Sequence, residues 1–297
     1  RESLDQVRDL GFHVLVTANR KGQLWSQHGA GLASTLGSEV VNVDRMDDVE
    51  AKELLRLCTG VKDEQWGSLC QNEMVSSIIN ICRGLPHALV MIGTTLKGQV
   101  SSVTWSAMQG LLARSGPSAR VPARLVAEGL VPDEEYTAIF AATKVCVHKL
   151  PDHIRSRYMH LSILPRHVPA PEQMLESLWD TETDEVFDEV LEKLRSHGLL
   201  QPISIVGDQG RSGHAPTNVQ MDFICSNATP EIVEHAAARM SLYLGRLKVL
   251  KSGLGRKAGG KYLAMGRCGL VACWAEVEKR FGFTALEAYA DSIRAYR

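Results

Sequence analysis

The segment Ile81-Cys-Arg-Gly-Leu-Pro-His-Ala-Leu-Val90 constrains this chain more than any other. Apolar residues at helical spacing approach it from about residue 63 and continue beyond it to about residue 97. Proline lacks an amide hydrogen and has a fixed φ, so it suits the first turn of a helix and breaks an interior. Glycine two places earlier permits a backbone approach that a side chain would block. The pattern predicts one helix over about 63–82 and a second over about 86–97 that opens at Pro86.

Organisation on either side follows from periodicity. Gly11-Phe-His-Val-Leu-Val-Thr17 is a nearly continuous β-branched run, as expected of a strand buried on both faces of a parallel sheet, and Glu39-Val-Val-Asn-Val43 is its candidate neighbour. Two strands make no stable sheet, so this part is expected to borrow strands that precede residue 1. From Asp47 the period turns helical: Asp47-Asp48 is an acidic opening, and Val49, Leu54, Leu55 and Leu57 form an apolar stripe up to Gly60. A further helix runs through Trp105, Met108, Leu111 and Leu112 to a stop at Ser115-Gly-Pro117, and the Pro/Gly/Ala-rich stretch to Pro132 reads as a linker. Residues 134–200 carry three or four short helices, followed by an apolar strand over 198–206 and a Gly-rich turn over 207–213. Beyond Pro230 the pattern is helical again, over about 231–250, 260–281 and 284–297.

Composition removes several function classes. A net charge of −1 leaves no basic footprint for nucleic acid or an anionic membrane. The seven cysteines are scattered and never in C-x-x-C spacing, which argues against a zinc knuckle or disulfide framework and for reduced thiols in a cytoplasmic protein. No stretch approaches the roughly 18 apolar residues of a membrane span. The chain starts Arg1-Glu2-Ser3 without methionine and is expected to be a piece of a longer protein.

Taken in order, three segments resemble the NB-ARC family of signal-transducing nucleotide switches, the STAND-class proteins that include plant disease-resistance receptors and apoptosome components. They are Thr17-Ala-Asn-Arg20 at the end of the first strand, Gly84-Leu-Pro-His-Ala-Leu89, and Tyr158-Met-His-Leu-Ser-Ile-Leu-Pro165. A fourth echo, Val219-Gln-Met-Asp222-Phe223, aligns Pro216-Thr-Asn218 with the family's Met-His-Asp motif. The resemblance covers about 10–228 and lacks the phosphate-binding loop that opens the family's nucleotide domain. It implies a mainly α chain with a truncated parallel α/β remnant (1–45), a helical bundle (46–125), a winged-helix domain (126–228) and a helical extension (229–297).

The resemblance also implies a site. Thr17 and Arg20 would lie at a strand's carboxyl end near the terminal phosphate, with Asn19 in the register the family gives to arginine. Gly84, Leu85 and Pro86 would meet adenine, and Thr217 would stand where the family's histidine contacts the ADP β-phosphate. His214, three residues before Thr217, reads as a loop residue. Gly255-Arg-Lys-Ala-Gly-Gly260-Lys261-Tyr262 satisfies G-x-x-x-x-G-K, but Tyr262 replaces the magnesium-binding Ser or Thr, so a basic hinge is expected there.

Implied function is ADP/ATP-gated switching in which helical and winged-helix domains close over nucleotide and control oligomerisation, with Mg²⁺ bound only alongside the missing N-terminal part. Implied partners are the upstream nucleotide-binding half of the same protein, further copies of the chain, and protein signalling partners in a defence-type response. The chain alone is expected to hydrolyse nothing. A different class remains open: a non-catalytic helical interaction module that has lost nucleotide dependence. A DNA-binding winged helix is disfavoured by Asp188, Glu189 and Glu192 on the helix expected over 185–197.

Overall fold

The computed structural model describes residues 45–71, 73–115, 133–164, 166, 169–181, 183–204 and 212–240. The strands expected over 11–17 and 39–43, the linker before Pro132, the Gly-rich turn and the helices beyond residue 240 lie outside the described residues. The chain divides into two compact units, Arg1–Asp44 and Arg45–Arg297, and every element below belongs to the second.

Helix α1 (Asp48–Thr59) starts on a capping box. The Asp47 carboxylate accepts from the amides of Val49 (2.9 Å) and Glu50 (2.8 Å), and Glu50 reaches back to the Asp47 amide (3.1 Å). Gly60 closes the helix at φ 64°. The buried stripe is Ala51, Leu55 and Thr59, so the expected apolar face needs correcting. Val49 and Leu57 are 76% and 63% exposed, because at 3.6 residues per turn they fall away from the line through Ala51 and Leu55.

The single helix expected over 63–82 is two helices, α2 (Asp63–Cys70) and α3 (Glu73–Ile81). An unbroken helix would put Trp66 and Val75 on roughly opposite sides. The break lets both reach the core, along with Leu69, Ile78 and Ile79. Helix α4 (Pro86–Thr95) opens with proline in its first turn, as expected. Helix α5 (Ser102–Ser115) buries Trp105, whose indole donates to the Gln99 carbonyl (2.9 Å) and meets Trp66 edge-on at 5.8 Å.

Helix α6 (Glu134–Lys149) buries Ala138, Phe140–Thr143 and Val145–Val147, which lie around most of its circumference. A helix apolar on all sides belongs in the middle of a fold, and α6 packs against α4, α5 and the later helix α10 (Asn218–Asn227). Its small residues allow close contact with α4. The Cys146 thiol donates to the Met91 carbonyl (3.2 Å) and lies 3.0 Å from Thr95 Oγ1. On the other side of α4, a Cβ added to Gly93 would lie 2.5 Å from Cys58 Cβ of α1.

Helix α7 (Asp152–His160), a 3-10 turn (Leu161–Ile163), strand β1 (Ala170–Pro171), α8 (Glu172–Trp179), α9 (Asp184–Ser196), β2 (Gln201–Ser204), β3 (Ser212–Ala215) and α10 complete the order. The strands form an antiparallel sheet in the order β1-β3-β2, with His214 opposite both Ala170 and Pro202. Proline cannot donate to a sheet ladder, and Pro171 and Pro202 both sit on the edge strands. Ile154, Tyr158, Leu161 and Ile163 are buried, as the sequence implies. The described part is thus mainly helical with one small sheet, and a continuous apolar core runs from Ala51 to Met240. Among the described residues no helix is long and apolar enough to cross a membrane.

A helical stretch over 230–240 lays His235 on the buried His160 of α7, with ring centroids 5.0 Å apart. Burial, with His235, Arg157 and Arg239 nearby, pushes the His160 pKa down to about 4, and its Nδ1 has no hydrogen-bond partner. An unfolded histidine titrates near 6.5, so below that pH the unfolded chain binds the extra proton and the folded chain resists it. Stability from neutral His160 is complete above about 6.5 and falls as pH drops toward about 4. Urea titration should show a loss on the order of 1–2 kcal/mol between pH 7 and 5, reduced in His160→Phe. An equal pH slope in the variant would remove His160 as the cause.

Candidate functional site

The turn before α4 is built from two left-handed residues, Arg83 (φ 57°) and Gly84 (φ 63°). They bring the Gly84 amide to the Ile79 carbonyl (3.2 Å) and the Leu85 amide to the Cys82 carbonyl (3.0 Å). The Gly84 carbonyl accepts from the Met46 amide (3.2 Å), and a Cβ at Gly84 would meet the Met46 carbonyl oxygen at 2.7 Å. Glycine is therefore required here both for its conformation and for the space. Leu85 is extended, half-buried, and gives α4 no side-chain cap. Pro86 is exposed. Two ion pairs fasten the turn to the first turn of α6, Arg83–Glu134 (3.4 Å) and Arg45–Glu135 (3.0 Å).

Thr217 sits at the start of α10 as its N-cap. Its hydroxyl accepts from the Gln220 amide (3.4 Å), while Gln220 Oε1 accepts from the Thr217 amide (2.8 Å), a reciprocal capping box. The other half of the Gln220 carboxamide reaches across the fold. Its Nε2 donates to the Gly198 carbonyl (2.7 Å) and lies 3.0 Å from Nε2 of His87, in the first turn of α4. His87 Nδ1 lies 3.3 Å from the Gln201 side chain. The starts of α4 and α10, carrying Pro86 and Thr217, are thereby bridged by one side chain. Thr17, Arg20 and the 255–262 loop lie outside the described residues.

Two sequence readings near the site change. His214 is not a loop residue but the middle of β3, 1% exposed, with Nε2 3.1 Å from Glu172 Oε1. Its segment, Ser212-Gly-His-Ala215, lacks the alternating apolar pattern that announces a strand. Asp222, noted only as part of the family echo, is wholly buried. Arg166 pairs with it at 2.7 Å, and the Tyr136 hydroxyl donates to it at 3.1 Å. Arg166 also donates to the Asn218 carbonyl (3.4 Å), so the pair fixes the first turn of α10 from behind.

Sequence reasoning passed over Gln220, although Thr217-Asn-Val-Gln220 carries the T-x-x-Q signature of a capping box. Among the described residues no group of three or more His, Cys, Asp or Glu is arranged to hold a metal. Among the described residues no cysteine forms a disulfide, and burial pushes the thiols of Cys82 and Cys146 up to about 12, which makes them poor nucleophiles.

Gly84→Ala should destabilise more than Gly60→Ala. Both positions have positive φ, but only the first Cβ meets backbone, whereas Gly60 has open space. Chemical denaturation should give about 1 kcal/mol for Gly60→Ala and at least about 1 kcal/mol more for Gly84→Ala. Equal losses would mean that the Met46 approach relaxes freely. Arg166→Met, which removes the 2.7 Å ion pair to the buried Asp222, should cost about 3–5 kcal/mol. Adding Asp222→Asn should restore much of it, and purely additive losses would contradict the pairing.

Compared with known proteins, the chain matches no family model, and no curated protein matches it.

Proposed function

We propose that the chain is part of an ADP/ATP-binding signalling switch of the NB-ARC kind, in which residues 46–125 act as the helical bundle and 126–228 as a winged-helix domain. The observation that carries the reading is the junction of α4 and α10. Exposed Pro86 stands on a helix start without a side-chain cap, and one carboxamide ties that start to the one headed by Thr217. A helix start presents free amides and a partial positive charge, which suits phosphate oxygens. An exposed proline ring offers apolar surface to a base. The order helix, β1, two helices, β2, β3, with β3 central, supports the winged-helix part of the reading. On this reading a bound nucleotide would supply the phosphate charge that holds the two helix starts together, and its loss or exchange would release them.

A second reading is favoured by a specific observation. The Gln220 carboxamide already uses its oxygen and both hydrogens on protein groups, so the junction is satisfied without a ligand. That fits a helical interaction module that has lost nucleotide dependence.

Calorimetric titration with ADP separates the two. The switch predicts binding that weakens in Pro86→Ala. It also predicts tighter binding, on the order of tenfold, in Thr217→His with Asn218→Asp, where a stronger phosphate donor replaces the threonine hydroxyl. No heat and no thermal shift at millimolar ADP would favour the interaction module. The chain should show no ATP turnover; turnover abolished by Lys261→Ala would instead assign a working phosphate loop to 255–262.

A further inference from the structure

We propose that His87 and Gln220 form a proton-controlled latch joining α4 to α10, closed while the imidazole is neutral and released when it is protonated. The inference concerns the junction itself and does not depend on nucleotide binding.

The orientation of the Gln220 carboxamide is set by two backbone groups. Its oxygen faces the Thr217 amide at 2.8 Å and its nitrogen faces the Gly198 carbonyl at 2.7 Å. Turning the amide over would set N–H against N–H and oxygen against oxygen. One hydrogen of Nε2 is therefore left, directed to His87 Nε2 at 3.0 Å, with the weak acceptor Met91 Sδ at 3.5 Å. His87 Nε2 must accept, so the neutral ring carries its proton on Nδ1. Nδ1 lies 3.3 Å from Nε2 of Gln201, an exposed side chain whose carboxamide, turned over, would present its oxygen to that proton. An imidazolium has N–H on both nitrogens and would set a donor against the Gln220 donor.

Among the described residues, the groups around His87 offer the charge no ion pair. Burial already lowers the His87 pKa from its ordinary value, and the start of α4 adds a partial positive charge. Helix α4 carries no other ionisable side chain. On α10, Asp222 is held by Arg166 and Tyr136, and Cys225 points to the Ser162 carbonyl (3.9 Å). On the segment after α9, His197 Nδ1 bonds the Lys193 carbonyl (2.9 Å). Arg83, before α4, pairs with Glu134. Helices α1 and α6 meet α4 further along, through Cys58 at Gly93 and Cys146 at Met91 and Thr95.

An opened junction exposes His87, which then titrates near 6.5. Below that value the open form binds the extra proton, so the latch is complete above about 6.5 and weakens as pH falls through it. Release is concerted, because Gln220 also holds the Thr217 amide and the Gly198 carbonyl.

Ring ¹⁵N NMR of the whole chain between pH 8 and 5, with amide exchange at Thr217, tests this. Expected are the Nδ1–H tautomer of His87, opposite to that favoured by a free imidazole, and Thr217 protection that falls about tenfold per pH unit below about 6.5. Gln220→Leu, which removes the N–H facing His87 Nε2, should raise the His87 pKa above that of the parent chain and abolish the tautomer preference. His87→Gln, which offers an acceptor that does not titrate, should keep Thr217 protected down to pH 5 and serves if Gln220→Leu fails to fold. An Nε2–H tautomer in the parent chain would overturn the proposal, as would unchanged pH dependence of Thr217 in His87→Gln.

Discussion

Helix α4 is held from two sides at distances that leave no room for adjustment, and much of the structure depends on that grip. On one side Gly93 lets α1 come so close that a single methyl group would collide with Cys58. On the other, the Cys146 thiol of α6 bonds a carbonyl of the α4 backbone itself. Interiors packed this tightly transmit displacement and do not absorb it. The first turn of α4, with Pro86 and His87, is therefore positioned by contacts one and two turns further along. The polar junction with α10 is a consequence of apolar packing.

Charge is used sparingly around this frame. The ion pairs from Arg45 and Arg83 to the first turn of α6 are between exposed groups, and such pairs contribute a few tenths of a kcal/mol to about 1 kcal/mol. They also place carboxylates at a helix start, where the backbone dipole favours them. The Asp222–Arg166 pair differs in kind, because the carboxylate has no contact with solvent and breaking the pair removes a charge partner from a buried group. Exposed pairs tune the turn before α4, while the buried one determines where α10 begins. The two sets act on the two sides of the same junction.

Local rules found most of the helices. Proline in a first turn located α4, and Asp47 located α1, because both signals act within four residues. Errors arose where tertiary context decides. Val49 and Leu57 are apolar yet exposed, so apolar character alone assigned them to the wrong face. The break between α2 and α3 follows from what Trp66 and Val75 must each reach, which no nearby residue announces. Thr217 was legible as a polar residue at a motif position, and its capping partner was written three residues on. The partnership of Gln220 with His87 was not legible, since 133 residues separate them and no spacing pattern joins the two.

That separation has a consequence for biosynthesis. Helices α1 to α5 are synthesised long before α10, and the chain emerges from the ribosome in that order. Until α6 arrives, the face of α4 around Met91 has no cover. Until α10 follows, the first turn of α4 has no partner across the junction. Contacts between residues this far apart close slowly because the intervening loop must first be ordered. The nascent first half thus presents the face of α4 around Met91 to solvent until α6 and α10 follow it out of the ribosome.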